Sequence, residues 1–161
     1  MKKYGLFVVT ALLIILSDQL TKYWIDTSMT LHDSIPVLQG FFNLTYVRNP
    51  GAAFGFLAQT SPAFRYTFFI GVNILAITLI LFYLRKAATT EFRLILALAC
   101  IMGGAVGNLI DRIWFGEVLD FLDFYIGTLH WPAFNVADSS ISAGACLLVW
   151  ELWKRGRQAS V

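Results

Sequence analysis

Two aspartates stand where an apolar chain has little reason to put them. Asp138 lies in Phe134-Asn135-Val136-Ala137-Asp138-Ser139-Ser140, at the mouth of the apolar run from Ile141 to Trp150. Asp120 lies in Val118-Leu119-Asp120-Phe121. Two carboxyls that meet cannot easily both ionise, so they share one proton. One can then deprotonate water while the other protonates the carbonyl oxygen or leaving amine of an amide. Each acid also has an ordinary reading. Asn135 and Asp138, three apart at a helix start, fit the N-cap and N3 positions. Asp120 alone fits a solvated loop acid. An ionisable group at membrane depth costs about 2.5 to 3.5 kcal/mol at a helix centre, which makes it a functional candidate.

Other chemistries are poorly served. No His-Glu-x-x-His helix offers a zinc site. The two histidines, His32 and His130, fall in different connections and read as surface residues. Ser139 and Ser140 have no Lys or His nearby in sequence to activate them. Cys100 and Cys146 fall inside apolar runs and read as small buried hydrophobes, neither a disulfide nor a metal site. No metal, cofactor or acyl-enzyme is expected.

Further polar groups sit near the pair in character. Asp18 and Lys22, four apart, fit an ion pair with Lys22 snorkelling to the interface. They also fit a brace for a site at that end. In Met102-Gly103-Gly104-Ala105-Val106-Gly107-Asn108-Leu109-Ile110-Asp111-Arg112, Gly103 and Gly107 make a small-xxx-small packing face. Gly104, Asn108 and Arg112 share a second stripe, where a bare glycine, an amide and a guanidinium suit an approaching peptide backbone. Asp111 projects about 100° from Arg112 and reads as a structural partner.

The elements that hold these residues are set by hydropathy. The chain has 161 residues, 58% hydrophobic and 14% charged, with mean hydropathy +0.68. A soluble domain is about half apolar and a quarter charged, so a bilayer is the implied solvent. A net charge of +2 gives no nucleic-acid footprint. Spanning hydrocarbon takes roughly 20 helical residues, and about Tyr4–Ile25, Tyr66–Leu84, Phe92–Trp114 and Phe134–Trp153 qualify. The first resembles a secretory leader, yet no small-residue cleavage site follows, so it is expected to be retained. The expected fold is an all-α polytopic membrane protein in one domain, 1–161, with four transmembrane helices and a small extracytoplasmic β-sheet.

Orientation follows from the cations. With the N-terminus inside, Lys2, Lys3, Arg85, Lys86, Arg93, Lys154, Arg155 and Arg157 are inner, and Lys22, Arg48, Arg65 and Arg112 outer, as the positive-inside tendency asks. Both termini are then cytoplasmic, and the long connections, about Asp26–Arg65 and Phe115–Ala133, are outside. Phe41–Val47 is rich in strand formers, Arg48-Asn49-Pro50-Gly51 supplies a turn, and Ala52–Leu57 is apolar again, so a hairpin or small sheet is expected there. Leu57–Tyr66 fits a short interfacial segment. On residues alone two other classes stay open. One is a cation-coupled transporter with Asp18, Asp111 and Asp138 as a relay; the other is an assembly factor packing through its glycines.

Five motifs stand in order: Ser17-Asp18-Gln19-Leu20-Thr21-Lys22, Val47–Phe54, Gly103–Arg112, Val118–Phe121 and Phe134–Ser139. The ordered set, with four spans, resembles the bacterial lipoprotein signal peptidases, the signal peptidase II family, from Tyr4 to about Trp153. The stretch Asp123–Trp131 matches no family pattern. The resemblance implies an intramembrane aspartic endopeptidase of the bacterial inner membrane, its site near the outer face, with catalytic Asp120 and Asp138. It implies that Asp18, Lys22, Asn49, Gly104, Asn108, Arg112, Asn135 and Ala137 shape the site or bind substrate. The implied partners are diacylglyceryl-modified prolipoproteins, cut just before the lipidated cysteine, membrane lipids, and globomycin-like cyclic peptide inhibitors. A monomer is expected.

Overall fold

The computed structural model describes residues 2–51, 57 and 59–159. Four long helices, α1 (Lys2–Ser28), α2 (Pro62–Lys86), α3 (Phe92–Phe115) and α4 (Val136–Ala159), carry most of the chain. Four strands lie between them: β1 (Ser34–Leu38), β2 (Phe42–Asn49), β3 (Val118–Ile126) and β4 (Leu129–His130). Helix α3 is the hub and packs against α1, α2 and α4. Its apolar window is 61% buried, against 17% in α1 and in α2. Val8, Val9, Leu12, Leu13 and Leu16 of α1 and Leu75, Leu79, Leu81 and Phe82 of α2 instead face outward. In water that much exposed Leu would be a liability; against lipid tails it is the expected surface.

Three helices, α1, α2 and α3, are long and apolar enough to cross a membrane. The fourth, α4, matches them in length but carries Asp138, Glu151, Lys154, Arg155 and Arg157 near its ends, which lowers its mean apolarity. Helix α2 starts earlier than its expected span, at Pro62, because Ser61 Oγ caps the Phe64 N–H and a proline suits the first turn. That cap takes up most of the expected interfacial segment.

The chain termini share one end of the bundle. Lys3 Nζ donates to the carbonyls of Leu84, Arg85 and Ala87 at the close of α2. Arg155 pairs with Glu91 at 2.6 Å before α3. At the opposite end the strands form one antiparallel sheet in the order β1-β2-β3-β4. The hairpin expected within 41–57 is corrected in part. Strand β2 pairs upstream with β1, through a turn in which Gly40 adopts φ +79°, and across to β3 from the other connection. The expected return arm, 52–57, lies almost wholly outside the described residues. The unmatched stretch 123–131 is the end of β3, a turn at Gly127 (φ +62°) and β4. A second core of Ile25, Tyr46, Leu119 and Phe121 fixes the sheet onto α1.

Neither cysteine is a buried hydrophobe: Cys100 is half-buried and Cys146 exposed on the outside of α4. An apolar run in a bilayer has no need to turn every member inward.

Candidate active site

Strand β3 delivers Asp120. Its neighbours Leu119 and Phe121 are drawn into the second core, its register partner is Val47, and its side chain is 3% exposed. Strand β2 ends at Asn49, whose Nδ2 donates to Asp120 Oδ2 at 2.9 Å. The Gly51 N–H donates to Asn49 Oδ1 at 3.0 Å, so the turn fixes which end of that amide meets the acid.

Helix α4 delivers Asp138 in its first turn. The Asp138 N–H donates to Asn135 Oδ1 at 2.9 Å, and the Asn135 N–H donates to Asp138 Oδ2 at 3.3 Å. This is the reciprocal cap their spacing suggested. The same asparagine, fully buried, donates through Nδ2 to Asp120 Oδ1 at 2.8 Å. One residue therefore bonds both acids. Asn108 of α3 adds a donor, Nδ2 to Asp138 Oδ1 at 2.7 Å.

Both carboxyls line a cavity of about 490 Å³, whose wall includes Asn49, Gly51, Asn108, Arg112, Val118, Trp131, Pro132, Ala133, Phe134, Ser139, Ile141 and Ser142. Arg112 lies with its guanidinium 4.7 Å from the Phe69 ring and donates to Gly51 O at 3.3 Å. It is the cation on this wall. Burial, and after it the charge of Asp138, pushes the Asp120 carboxyl from 3.8 up to about 7, against the pull of Asn49, Lys22 and Asn135. Such an acid holds a proton near neutral pH and can give it up, which is what a general acid needs.

Behind Asn108 lies a second group. Lys22 Nζ is 2.8 Å from Asp18 Oδ2 and 2.8 Å from Asp111 Oδ2, and donates to Asn108 Oδ1 at 3.0 Å. At 4% exposure it does not snorkel; three acceptors hold it inside. Asp18 Oδ1 accepts the Ala137 N–H at 2.8 Å, and Asp111 Oδ2 accepts the Leu119 N–H at 3.2 Å. Gln19 Nε2 donates to Asp18, Asp111 and the Gly107 carbonyl.

The glycines explain how the helices come this close. A Cβ on Gly107 would sit 2.7 Å from Asp18 Oδ2, and one on Gly103 2.8 Å from Ile14 Cβ, so the expected packing face meets α1. A Cβ on Gly104 would collide with the Ala137 carbonyl and lie 2.6 Å from Ile141 Cγ1. The backbone that approaches Gly104 is α4 itself, so the stripe of Gly104, Asn108 and Arg112 leaves only its last two members for a substrate. Ser139 and Ser140 spend their hydroxyls on helix carbonyls. His130 is half-exposed and pairs with Asp123 at 2.8 Å on the sheet, away from the cavity.

Of the ten residues expected at the site, Asn49, Asn108, Arg112, Asp120 and Asp138 line this cavity, Asp18 and Lys22 form the polar group behind it, Asn135 bonds both acids, Ala137 donates to Asp18, and Gly104 packs against α4. Sequence reasoning gave Asp111 a structural role outside the site and did not single out Gln19. The signal for Asp111 was its place four residues after Gly107, on the face that meets α1; for Gln19 it was adjacency to Asp18.

The family model described as signal peptidase (SPase) II matches residues 10–154. The lipoprotein signal peptidase of Syntrophus aciditrophicus (strain SB) is 52% identical over 155 residues, covering 96% of each chain. That of Geobacter sulfurreducens is 48% identical, again covering 96% of each. Two solved structures, described as bacterial membrane enzymes obtained by the in meso method, superpose with TM-scores of 0.84 and 0.81. Each is 37% identical; the first covers 93% of this chain and 88% of its own, the second 92% of both. With the family model spanning nearly the whole chain and relatives matched almost end to end, this chain belongs to the signal peptidase II family.

Proposed function

We propose that the chain is an intramembrane aspartic endopeptidase that frees diacylglyceryl-modified prolipoproteins of their signal peptides, cutting just before the lipidated cysteine. Family membership carries the coarser part: a bacterial membrane protease that processes lipoprotein signal peptides. The finer part rests on one observation, the hydrogen bonding of both Asp120 and Asp138 by Asn135 on the wall of one cavity.

In this reading the ionised member of the pair takes a proton from water as the water oxygen attacks the scissile carbonyl carbon. The protonated member gives its proton to the carbonyl oxygen. Collapse of the tetrahedral intermediate breaks the C–N bond; the leaving nitrogen takes a proton from one acid, a hydroxyl of the intermediate returns its proton to the other, and the shared-proton state is restored. The products are a signal peptide ending in a carboxyl group and a lipidated cysteine with a free amine. Arg112 and Asn49 hold the peptide near the scissile bond, and Asn135 holds the acids.

Placement supports the substrate class. A signal peptide is an apolar helix already in the bilayer, with its cut site near the outer face. Helix α4, apolar from Ile141 to Trp150 apart from small polar residues, is the fourth span, and the chain works as one domain, 1–161. The cation-rich end with both termini faces the cytoplasm across the inner membrane, so the sheet and cavity lie outside. Tyr23, Trp24, Trp114 and Phe115 are exposed near that end, as interface aromatics are. The diacylglycerol stays in lipid against the outward Leu and Val faces, and globomycin-like cyclic peptides compete for the cavity. The rival relay loses its parts, because Asp18 and Asp111 are both clamped by Lys22.

The test is to incubate purified protein with diacylglyceryl-modified precursor and look for the shortened product. Asp120→Asn and Asp138→Asn should each abolish it while the protein still inserts. Near wild-type turnover by either variant overturns the aspartic mechanism.

A further inference from the structure

Besides the bonds it accepts from Gln19, the buried Asp18–Lys22–Asp111 group makes three bonds outward, two to the N–H before a proposed catalytic acid and one to an amide that bonds Asp138. Asp18 accepts the N–H of Ala137, the residue before Asp138, at 2.8 Å. Asp111 accepts the N–H of Leu119, the residue before Asp120, at 3.2 Å. Lys22 donates to Asn108 Oδ1 at 3.0 Å, and Asn108 Nδ2 then donates to Asp138 at 2.7 Å. The amide of Asn108 cannot turn over without setting its NH2 against the Lys22 ammonium and its oxygen against the Asp138 carboxyl. All three members are at most 4% exposed, so water does not compete for these bonds.

We infer that this ionic group is the positioning centre of the site, with Asp111 and Lys22 setting the separation and orientation of Asp120 and Asp138. The inference rests on the dyad reading above. Helix α1 supplies Asp18 and Lys22, and α3 supplies Asp111. The backbone of β3 and the start of α4 hang from them. A single pair, Asp18 with Lys22, would bind α4 alone. Adding Asp111 ties the strand to the same ammonium, so the two acids share one reference point. A displacement of about 1 Å in such a site is worth about 100-fold in rate. Asp111 touches no reacting atom; it is a positioning residue.

Charged groups that face the acids are Asp138 and Lys22 for Asp120, Lys22 and Asp18 for Asp138, and Arg112 for both; Asp111 acts on them through Lys22, 2.8 Å away. Removing Asp111 or recharging Asn108 therefore has to show in the pH–rate profile.

The experiment compares full-length wild type with Asp111→Asn, Asp111→Ala, Asn108→Asp and Asp120→Asn on diacylglyceryl-modified precursor, reading kcat, KM, the pH–rate profile and thermal unfolding. Asp111→Ala should lower kcat about 100-fold with KM within about three-fold, and Asp111→Asn, which keeps an acceptor for Leu119, should recover most of it. Asn108→Asp, which retains the contact with Lys22 but sets a carboxyl against Asp138, should lower kcat and move the acidic limb of the profile to higher pH. A folded Asp111→Ala with wild-type kcat and profile overturns the inference. Should that variant fail to fold, an Asn108→Asp enzyme with unchanged kcat and profile overturns it instead. An active Asp120→Asn sinks the dyad reading and this inference together, whereas an inactive one beside an unaffected Asp111→Ala sinks the positioning role alone.

Discussion

Asn108 divides two sets of acids that share a residue type and differ in company. On one side Asp18 and Asp111, 0% and 3% exposed, close on the Lys22 ammonium. On the other, among the described residues, Asp120, also 3% exposed, and the half-buried Asp138 meet neutral amides and an N–H at hydrogen-bond distance. An ammonium neutralises a carboxylate and commits it. An amide orients a carboxyl yet leaves its charge uncompensated, so burial and the second acid raise Asp120 to about 7. Burial by itself therefore does not mark a reactive acid; the identity of the donor does. The cavity on one side and the sealed interior on the other complete the division of labour.

The sharpest way to break that comparison is to exchange roles. In the proposed mechanism Asp120→Asn and Asp138→Asn each remove the shared proton while keeping size and one of the two N–H donors that each acid accepts. A loss of about 10⁴-fold or more in turnover is expected, the scale of general acid–base catalysis, with the unfolding temperature held within a few degrees. Asp18→Ala should do the reverse in kind. It strands Lys22 beside a single acid and orphans the Ala137 N–H, and breaking a buried pair costs about 3–5 kcal/mol. Chemical or thermal unfolding in detergent reads that loss directly. An Asp18→Ala protein of wild-type stability would show that the ionic group bears no structural weight.

Sequence reasoning reached these two sets unevenly. The helices were legible because roughly 20-residue apolar runs have few alternatives, and α1 and α3 appear nearly where hydropathy put them. Asn135 and Asp138 were legible as a pair because a capping box is local. Asp120 was not distinguishable from a loop acid until the ordered motifs were read together. Strand formers announce a strand and say little about its partner: a small sheet or hairpin was expected from 41–57, and the sheet forms with β2 between β1 and β3. Lys22 was given to the interface because its second and third partners, Asp111 and Asn108, lie far along the chain. Gly104 was given to the substrate because the helix that fills its space comes last in the sequence. What is set by contacts between distant segments left no periodic trace.

A smaller effect sharpens the electrostatic half of the contrast. The folded-state value of Asp120, about 7, lies above the ordinary 3.8. The folded protein then binds the Asp120 proton more tightly than the unfolded chain does. That contribution to stability is whole below about pH 4 and is lost as pH rises through 7. Asp120→Asn has no such proton, so the stability of wild type relative to the variant should fall by about 2 kcal/mol between pH 5 and pH 8. Paired unfolding curves at the two values measure it. A flat difference would place Asp120 with the neutralised acids.

The smallest expected effect tests whether the cavity wall holds any rival reactive group. Ser139 and Ser142 both line this space, and Ser139, directly after Asp138, is the hydroxyl placed beside the acids. Its Oγ, however, donates to Asn135 O at 2.8 Å, an ordinary i to i−4 bond within the helix, and among the described residues no histidine or lysine lines the cavity to take its proton. Ser139→Ala removes only that bond. The Asn135 carbonyl keeps the Ser139 N–H at 3.1 Å as a helix partner, so the cap and both acids stay where they are. Turnover by Ser139→Ala should remain within about three-fold of wild type, with an unchanged pH profile. A loss comparable to that of Asp138→Asn would move the chemistry from shared-proton acids to an acylated hydroxyl, and the amide-held pair would then be a scaffold like the ionic group behind it.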